Sequence, residues 1–243
     1  MRKKVIAISL VSLAALLLIS IALIGNGFIL LNHPSHTKYP VRGVDVSSHQ
    51  GEIDWDTLSA QDISFAFIKA TEGSSFIDPR FDYNYEKAQN TGLRIGAYHF
   101  FSFDSGGETQ AENFIAAVGK TEDMLPPVID LEFYADKEAN PPDRAAVRAQ
   151  LDVMLDALEN HYGEKPMIYA TEKSYAMYLS GAYEAYDIWI RNVIASPKLS
   201  DGREWRFWQY SNRARLQGCS GKEKYIDVNV FSGDPEEFDR YAR

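Results

Sequence analysis

Short apolar runs recur along this chain, and they have the length and composition of β-strands. They are rich in Val, Ile, Phe, Tyr and Trp and are bounded by Gly, Pro, Asp and Ser, which is typical of strands between turns. Eight such runs follow residue 40, at positions 43–47, 65–70, 94–101, 127–133, 166–170, 187–193, 205–211 and 226–231. The pattern therefore predicts eight strands.

Helical spacing separates the earlier strands. Apolar residues recur at i, i+3, i+4 and i+7 over positions 111–118 and again over 147–158. Asp143 stands where the second helix should begin and Gly163 just past its end, as capping preferences suggest. Strands that alternate with helices imply a parallel sheet, whereas the spacers between the last three strands are short. We therefore predict an α/β barrel with about five crossover helices and an irregular final third.

The N-terminal segment has a different composition. Arg2, Lys3 and Lys4 precede an uncharged apolar run over residues 5–31. This run exceeds both the ~20 residues that cross a bilayer and the roughly 7–15 apolar residues of a secretory signal. We expect a membrane anchor with its basic start in the cytoplasm and the following domain outside. The alternative is signal cleavage near residues 25–27 and secretion. A polar linker over residues 33–40 would then separate segment 1–40 from one domain, 41–243.

Charge narrows the set of partners. Residues 41–243 carry 21 basic and 34 acidic side chains, a net charge of −13, while the whole chain of 243 residues is at −9. Such an acidic domain is not expected to bind nucleic acid, because phosphate binding requires clustered Lys and Arg. The single cysteine, Cys219, excludes an internal disulfide. We expect a monomer that is stabilised by its core.

The strongest chemical signal is the run Pro-Pro-Val-Ile-Asp-Leu-Glu-Phe at positions 126–133. Asp130 and Glu132 are two residues apart on a predicted strand, so their side chains share a face. Two acids this close repel each other when both are ionised, which raises one pKa while the other group stays charged. Glycoside hydrolysis needs such a split pair. Solvent-facing loop acids or a metal site remain open at this point.

Two further acids favour a common site. Asp45 lies on the opposite face from Val44 and Val46, and Asp227 and Asn229 show the same pattern on the last strand. First and last strands are neighbours in a closed barrel, and barrel active sites lie at the C-terminal ends of the strands. We therefore expect these acids to meet. A divalent metal would be the competing explanation, but no HExxH-like ligand spacing is present.

Six segments in this order resemble glycoside hydrolase family 25, the lysozymes (N-acetylmuramidases) of the cellosyl and phage-endolysin type. They are DVSSHQG at 45–51, FIKATEG at 67–73, GAYHF at 96–100, DLE at 130–132, WQY at 208–210 and DVN at 227–229. The resemblance implies an irregular TIM-like (β/α) barrel with five β/α units followed by three strands. It also implies hydrolysis, with retention, of the β-1,4 bond between N-acetylmuramic acid and N-acetylglucosamine in peptidoglycan. Neither a cofactor nor a metal is expected.

The resemblance also implies residue roles. Glu132 would be the general acid, Asp130 the carboxylate that stabilises the attacking 2-acetamido group or the oxocarbenium ion, and Asp45 and Asp227 would complete the acidic cluster. The remaining positions would bind sugar: Tyr98, Tyr169 and Trp208 as flat rings, with Gln209 and Asn229 as polar partners. Core packing is the competing explanation for the rings. Glu72 fits the motif but is interpreted as a structural or rim residue.

Two other functions stay open. A chitinase-like hydrolase also uses Asp-x-Glu at a strand end, although the longer DxxDxDxE arrangement of that family is missing because positions 125 and 128 are Leu and Val. A catalytically inactive glycan-binding module is the non-enzymatic alternative. Every expected acid is present, however. One departure from the family pattern is Asp62, which stands in a loop where glycine is usual.

Overall fold

The computed structural model describes residues 2–120 and 123–241. In this part of the chain the strands are β1 Arg42–Val46, β2 Phe65–Glu72, β3 Phe76–Ile77, β4 Arg94–Phe100, β5 Val128–Leu131, β6 Met167–Thr171, β7 Ile188–Arg191, β8 Phe207–Ala214 and β9 Ile226–Phe231. The α-helices are α1 Arg2–Gly25, α2 Trp55–Ser59, α3 Phe81–Gln89, α4 Gly107–Ala117, α5 Arg144–Tyr162, α6 Glu172–Ser174 and α7 Pro235–Arg240. All eight predicted strands are present, and only the two-residue β3 was not predicted.

Eight strands close into a barrel in the order β1-β2-β4-β5-β6-β7-β8-β9. β1 closes the ring, because it pairs with β2 in parallel and with β9 antiparallel. β3 lies outside the ring as a hairpin on β2. The helices α2 to α6 each follow one of the first five barrel strands, whereas β7, β8 and β9 follow one another without a described helix between them. The predicted fold of five β/α units followed by three strands is confirmed.

The cap residues of α5 lie where the sequence predicts them. The Asp143 side chain accepts a hydrogen bond from the Ala146 backbone N–H, and this satisfies one of the free donors of the first turn. Gly163 ends the helix with φ +79°, a left-handed conformation that glycine adopts without steric cost. The apolar stripe of α5 faces α4 and the barrel, and its members Val147, Leu151 and Leu158 are buried.

Strand alternation divides the core into two layers. Residues such as Val44, Ala66 and Ile129 point outward and pack beneath the helices. The inward layer is aromatic-rich and consists of Val41, Phe65, Phe67, Leu125, Val128, Met167, Tyr169, Trp189, Phe207, Phe231 and Phe238. Gly43 makes room for it, because a Cβ there would lie 2.4 Å from the Phe65 ring. The lower barrel is therefore filled with rings.

The N-terminal segment is in contact with the barrel. α1 contains an exposed apolar stretch, Ile8–Gly25, that is long and apolar enough to cross a bilayer, which fits both an anchor and a signal peptide. The residues after it do not form a free linker. Asn32 is buried and its amide donates to the Asn192 and Tyr210 carbonyls, Arg42 donates to the Pro34 carbonyl, and the Tyr39 ring packs on outer tryptophans of the barrel.

Candidate active site

A cavity of about 880 Å³ opens at the C-terminal ends of the parallel strands, where barrel active sites lie. Its walls carry all four acids singled out from the sequence: Asp45 on β1, Asp130 on β5, Glu132 one residue beyond β5, and Asp227 on β9. Tyr98, Tyr169 and Gln209 also line it. We refer to this cavity as the cleft.

Two amides hold the Asp45 carboxylate, and each amide is oriented from its other side. Gln209 Nε2 and Asn229 Nδ2 donate to Asp45 Oδ2 over 2.9 and 2.8 Å. The Tyr169 hydroxyl donates to Gln209 Oε1 over 3.0 Å, and the Trp189 indole donates to Asn229 Oδ1 over 2.8 Å. An indole N–H can only donate, so the Asn229 oxygen must face Trp189 and its NH₂ must face Asp45. The Asp45 oxygen is therefore fixed in place.

The register of the first and last strands brings a second acid to Asp45. Asp45 on β1 lies directly opposite Asp227 on β9, and both carboxyl groups face the cleft. Burial, and then the charge of Asp45, raises the pKa of Asp227 well above its usual range. Burial also raises the pKa of Asp45, although the two amide donors oppose that rise. Two adjacent carboxyl groups resist being ionised together, and the two amide donors favour the charged form of Asp45, so we expect Asp227 to hold the proton.

The Asp130–Glu132 pair is buried more deeply at its Asp130 end. Burial, and then the charge of Glu132, raises the pKa of Asp130 well above its usual range. Burial also raises the pKa of Glu132, while the positive charge of Arg191 opposes it. Asp130 Oδ1 is buried without a hydrogen-bond partner among the described residues. Because an unpaired buried oxygen is costly, the geometry points to a donor that arrives with a ligand.

Sequence reasoning missed two cations and one ring that line the cleft. Arg191 ends β7 and Lys69 lies on β2, and both lower the pKa of cluster acids by their charge. Trp189 also lines the cleft, and its indole N–H completes the Asp45 network. Alternation could have found all three, because Trp189 and Arg191 are two apart on one strand face and Lys69 follows Phe67 in the same way.

Trp208 does not lie where the sequence placed it. Its side chain packs on the outer side of β8 against Tyr39, Trp205 and Tyr210, and its indole donates to the Asn192 carbonyl. The reason is alternation: Gln209 faces the cleft, so its neighbour Trp208 must face outward. The prediction that Trp208 lines a sugar subsite is therefore wrong.

Asn229 and Glu72 do not line the cleft themselves, although each contacts a residue that does. Asn229 is fully buried beneath Asp45, so it orients that carboxylate and does not line the cleft wall. Glu72 pairs with Lys69 Nζ at 2.7 Å and lines a separate surface pocket, as its interpretation as a structural residue anticipated.

Comparisons with known proteins identify the family of this chain. The family described as Glycosyl hydrolases family 25 matches residues 44–219. A solved family 25 glycosyl hydrolase from Bacillus anthracis is 55% identical, has a TM-score of 0.84, and covers 88% of this chain and 98% of its own. The bacterial lysozyme from Streptomyces coelicolor is 31% identical with a TM-score of 0.74, over 81% of this chain and 94% of its own. Lysozyme M1 from Streptomyces globisporus is 31% identical over 79% of this chain and 68% of its own. The chain belongs to glycosyl hydrolase family 25.

Proposed function

We propose that this protein is a peptidoglycan muramidase that hydrolyses the β-1,4 bond between N-acetylmuramic acid and N-acetylglucosamine. The observation that carries the proposal is the buried Asp130–Glu132 pair at the floor of the cleft. A proton shared by two carboxyl groups of different burial supplies the acid and the base that glycoside hydrolysis requires. The lysozyme and muramidase names of its relatives support peptidoglycan as the substrate.

Substrate binding would settle where the proton lies. Asp130 Oδ1 lacks a donor, and the N–H of a 2-acetamido group is a donor of suitable size. A hydrogen bond to ionised Asp130 favours its charged form. The shared proton then resides on Glu132, which is less buried and faces the cleft. Glu132 thereby becomes the general acid.

The reaction would proceed in two steps with retention of configuration. In the first step the acetamido carbonyl oxygen attacks C1 of N-acetylmuramic acid while Glu132 gives its proton to the departing glycosidic oxygen, and Asp130 stabilises the positive oxazolinium ring. In the second step Glu132 takes a proton from water, the water oxygen bonds to C1 and the ring opens. Two inversions at C1 retain the configuration. Asp45 and Asp227 would keep the cleft acidic and contact sugar hydroxyls.

We further propose that α1 remains attached as a membrane anchor, with the barrel outside the cytoplasm. The basic residues at the start of α1 favour this orientation, and the length of its apolar stretch is sufficient to span a bilayer. Peptidoglycan lies on that side of the membrane, so the anchor would keep the cleft on the side of its substrate.

Product analysis tests the activity. Purified peptidoglycan is digested with the enzyme, the products are reduced with borohydride, and their masses are determined. A muramidase leaves N-acetylmuramic acid at the new reducing end, so muramitol should appear. Glucosaminitol ends, or cleavage of chitin oligomers at a comparable rate, would contradict the proposed bond. Binding without new reducing ends would indicate an inactive module.

A further inference from the structure

The end of α1 is clamped by the β8–β9 hairpin of the barrel. Arg213 Nη1 donates to the Gly25 carbonyl over 2.7 Å, Arg215 Nε to the Asn26 carbonyl over 2.6 Å, and the Tyr225 hydroxyl to the Gly25 carbonyl over 3.1 Å. The last carbonyls of a helix lack partners within it and attract cations. The hairpin therefore caps the apolar helix, and no free linker separates the helix from the barrel.

Exposed apolar residues surround this junction. Phe28, Ile29 and Leu31 continue the chain beyond α1 with 66%, 47% and 61% of their surface exposed, and Ile194 in the loop after β7 is 74% exposed. They are close to one another in space, because one groove is lined by Ile29, Leu31 and Val193, the residue before Ile194. Contiguous exposed apolar residues beside a membrane helix are suited to the interfacial layer of a bilayer.

Basic residues lie next to the same junction. The segment over residues 211–225 carries Arg213, Arg215, Lys222 and Lys224 against the single acid Glu223, although the domain as a whole is strongly acidic. The Arg215 guanidinium stacks over the Phe28 ring at 4.4 Å, so basic and apolar groups alternate on one surface. Basic groups beside a membrane helix are attracted to anionic lipid headgroups.

We propose that this surface docks onto an anionic lipid bilayer and holds the cleft beside the membrane. The junction surface consists of Phe28, Ile29, Leu31, Ile194, Arg213, Arg215 and Lys224. Its apolar members enter the interface, and its basic members contact the headgroups. With α1 inserted the contact is intramolecular, so weak individual interactions suffice. The inference rests on the proposed anchor, but not on the proposed bond specificity.

Docking also fixes where the cleft opens. Arg213 and Tyr225, which clamp α1, line the cleft together with Asn212 from the same hairpin. The rim of the active site is thus continuous with the junction surface. The enzyme would act on glycan strands that lie next to the bilayer, and its reach into the outer wall would be short.

Fluorescence of the full chain in nanodiscs tests the docking. An environment-sensitive dye is attached to Ile194→Cys in a Cys219→Ser background, and Val153→Cys on α5, 45% exposed, serves as the matched site away from the junction. In phosphatidylglycerol nanodiscs the dye at 194 should shift to shorter wavelength and be quenched by spin-labelled lipid, whereas the dye at 153 should not. Equal emission and quenching at the two sites would overturn the proposal.

Charge reversal tests the headgroup contact. Arg215→Glu with Lys224→Glu should abolish the quenching at 194, and so should phosphatidylcholine discs. Lys87→Glu with Lys120→Glu makes the same charge change at the ends of α3 and α4, on the opposite face of the barrel, and should leave the quenching unchanged. Unchanged quenching in the first variant would overturn the lipid assignment. A purified chain that has lost α1 by cleavage would overturn docking and anchor together, while muramitol release would still report the bond specificity separately.

Discussion

The two halves of the barrel interior use the same strands for opposite purposes. In the lower half, inward positions are filled by rings, such as Phe67 stacked on Trp189 with centroids 4.7 Å apart. On β2 the same face carries Lys69, two residues after Phe67. On β5 the inward face carries Val128 in the lower half and Asp130 two residues later. The lower half stabilises the fold, whereas the upper half holds buried, partly unpaired acids that oppose it. The closed lower half is what allows charged groups to be held at the mouth.

The largest predicted effect is on activity and arises in the upper half. Glu132→Gln removes the proton donor and Asp130→Asn removes the charge that stabilises the oxazolinium ring. Each should lower kcat by about 10²- to 10⁴-fold, as is typical when a general acid–base group is lost. Both replacements are nearly isosteric, so the fold should persist. The rate of reducing-end release from purified peptidoglycan measures the effect.

Glu159→Gln is the matched control for this comparison. It makes the same chemical change in an ion pair with Lys165 that is partly exposed and does not line the cleft. Such pairs are worth about 0–1 kcal/mol, so the rate should change by no more than about five-fold. Activity of Glu132→Gln close to that of the wild type would remove Glu132 from the proposed role.

The second effect is on stability and arises in the lower half. Phe67 is fully buried and contacts Phe65, Trp189 and Phe207, so Phe67→Ala should cost about 3–5 kcal/mol in the free energy of unfolding. Phe76→Ala, at a half-exposed ring on β3, should stay within about 0.5 kcal/mol. Urea denaturation followed by circular dichroism measures both. If Phe67→Ala lost no more unfolding free energy than Phe76→Ala, the buried rings would not be what stabilises the barrel.

The third effect is a pH dependence of stability, and its sign is opposite to that of surface acids in ion pairs. Burial raises the pKa of Asp130 in the folded protein, so above about pH 4 the folded state holds a proton that the unfolded chain has released. Stability then falls as pH rises, at a rate of at most about 1.4 kcal/mol per pH unit for one retained proton. Asp130→Asn cannot ionise at this position, so it removes this contribution to the pH dependence of stability.

Unfolding titrations at several pH values measure that slope. The stability of Asp130→Asn relative to the wild type should increase from pH 5 to pH 8. A constant difference over this range would show that Asp130 is already ionised in the folded protein at pH 5. The buried pair would then carry no shared proton, and the proposed switch of the proton to Glu132 on substrate binding would fail.

Alternation along single strands explains how much of this could be predicted. It placed Asp45, Asp130 and Asp227 on inward faces, and barrel closure then brought the first and last strands together. The same rule, applied to 188–191, would have found Arg191. The segment Trp-Gln-Tyr at 208–210 was interpreted as one motif, without applying alternation to its three residues. Trp208 was therefore placed on the wrong side of β8. The amide network could not be predicted, because it depends on side chains from distant strands.

The smallest effect distinguishes two buried tryptophans that carry the same donor. Trp189→Phe leaves Asn229 Oδ1 without its partner, so the amide can turn and Asp45 loses a hydrogen bond. A hydrogen bond of this kind is worth about 1 kcal/mol, which corresponds to about a five-fold loss in kcat/KM. Trp208→Phe removes a donor to the Asn192 carbonyl on the outer face and should lower stability by a similar amount without changing kcat/KM. Equal losses of kcat/KM in the two variants would show that the hydrogen bonds around Asp45 do not position it for activity. The separation between a lower half that stabilises the fold and an upper half that carries the chemistry would then not hold.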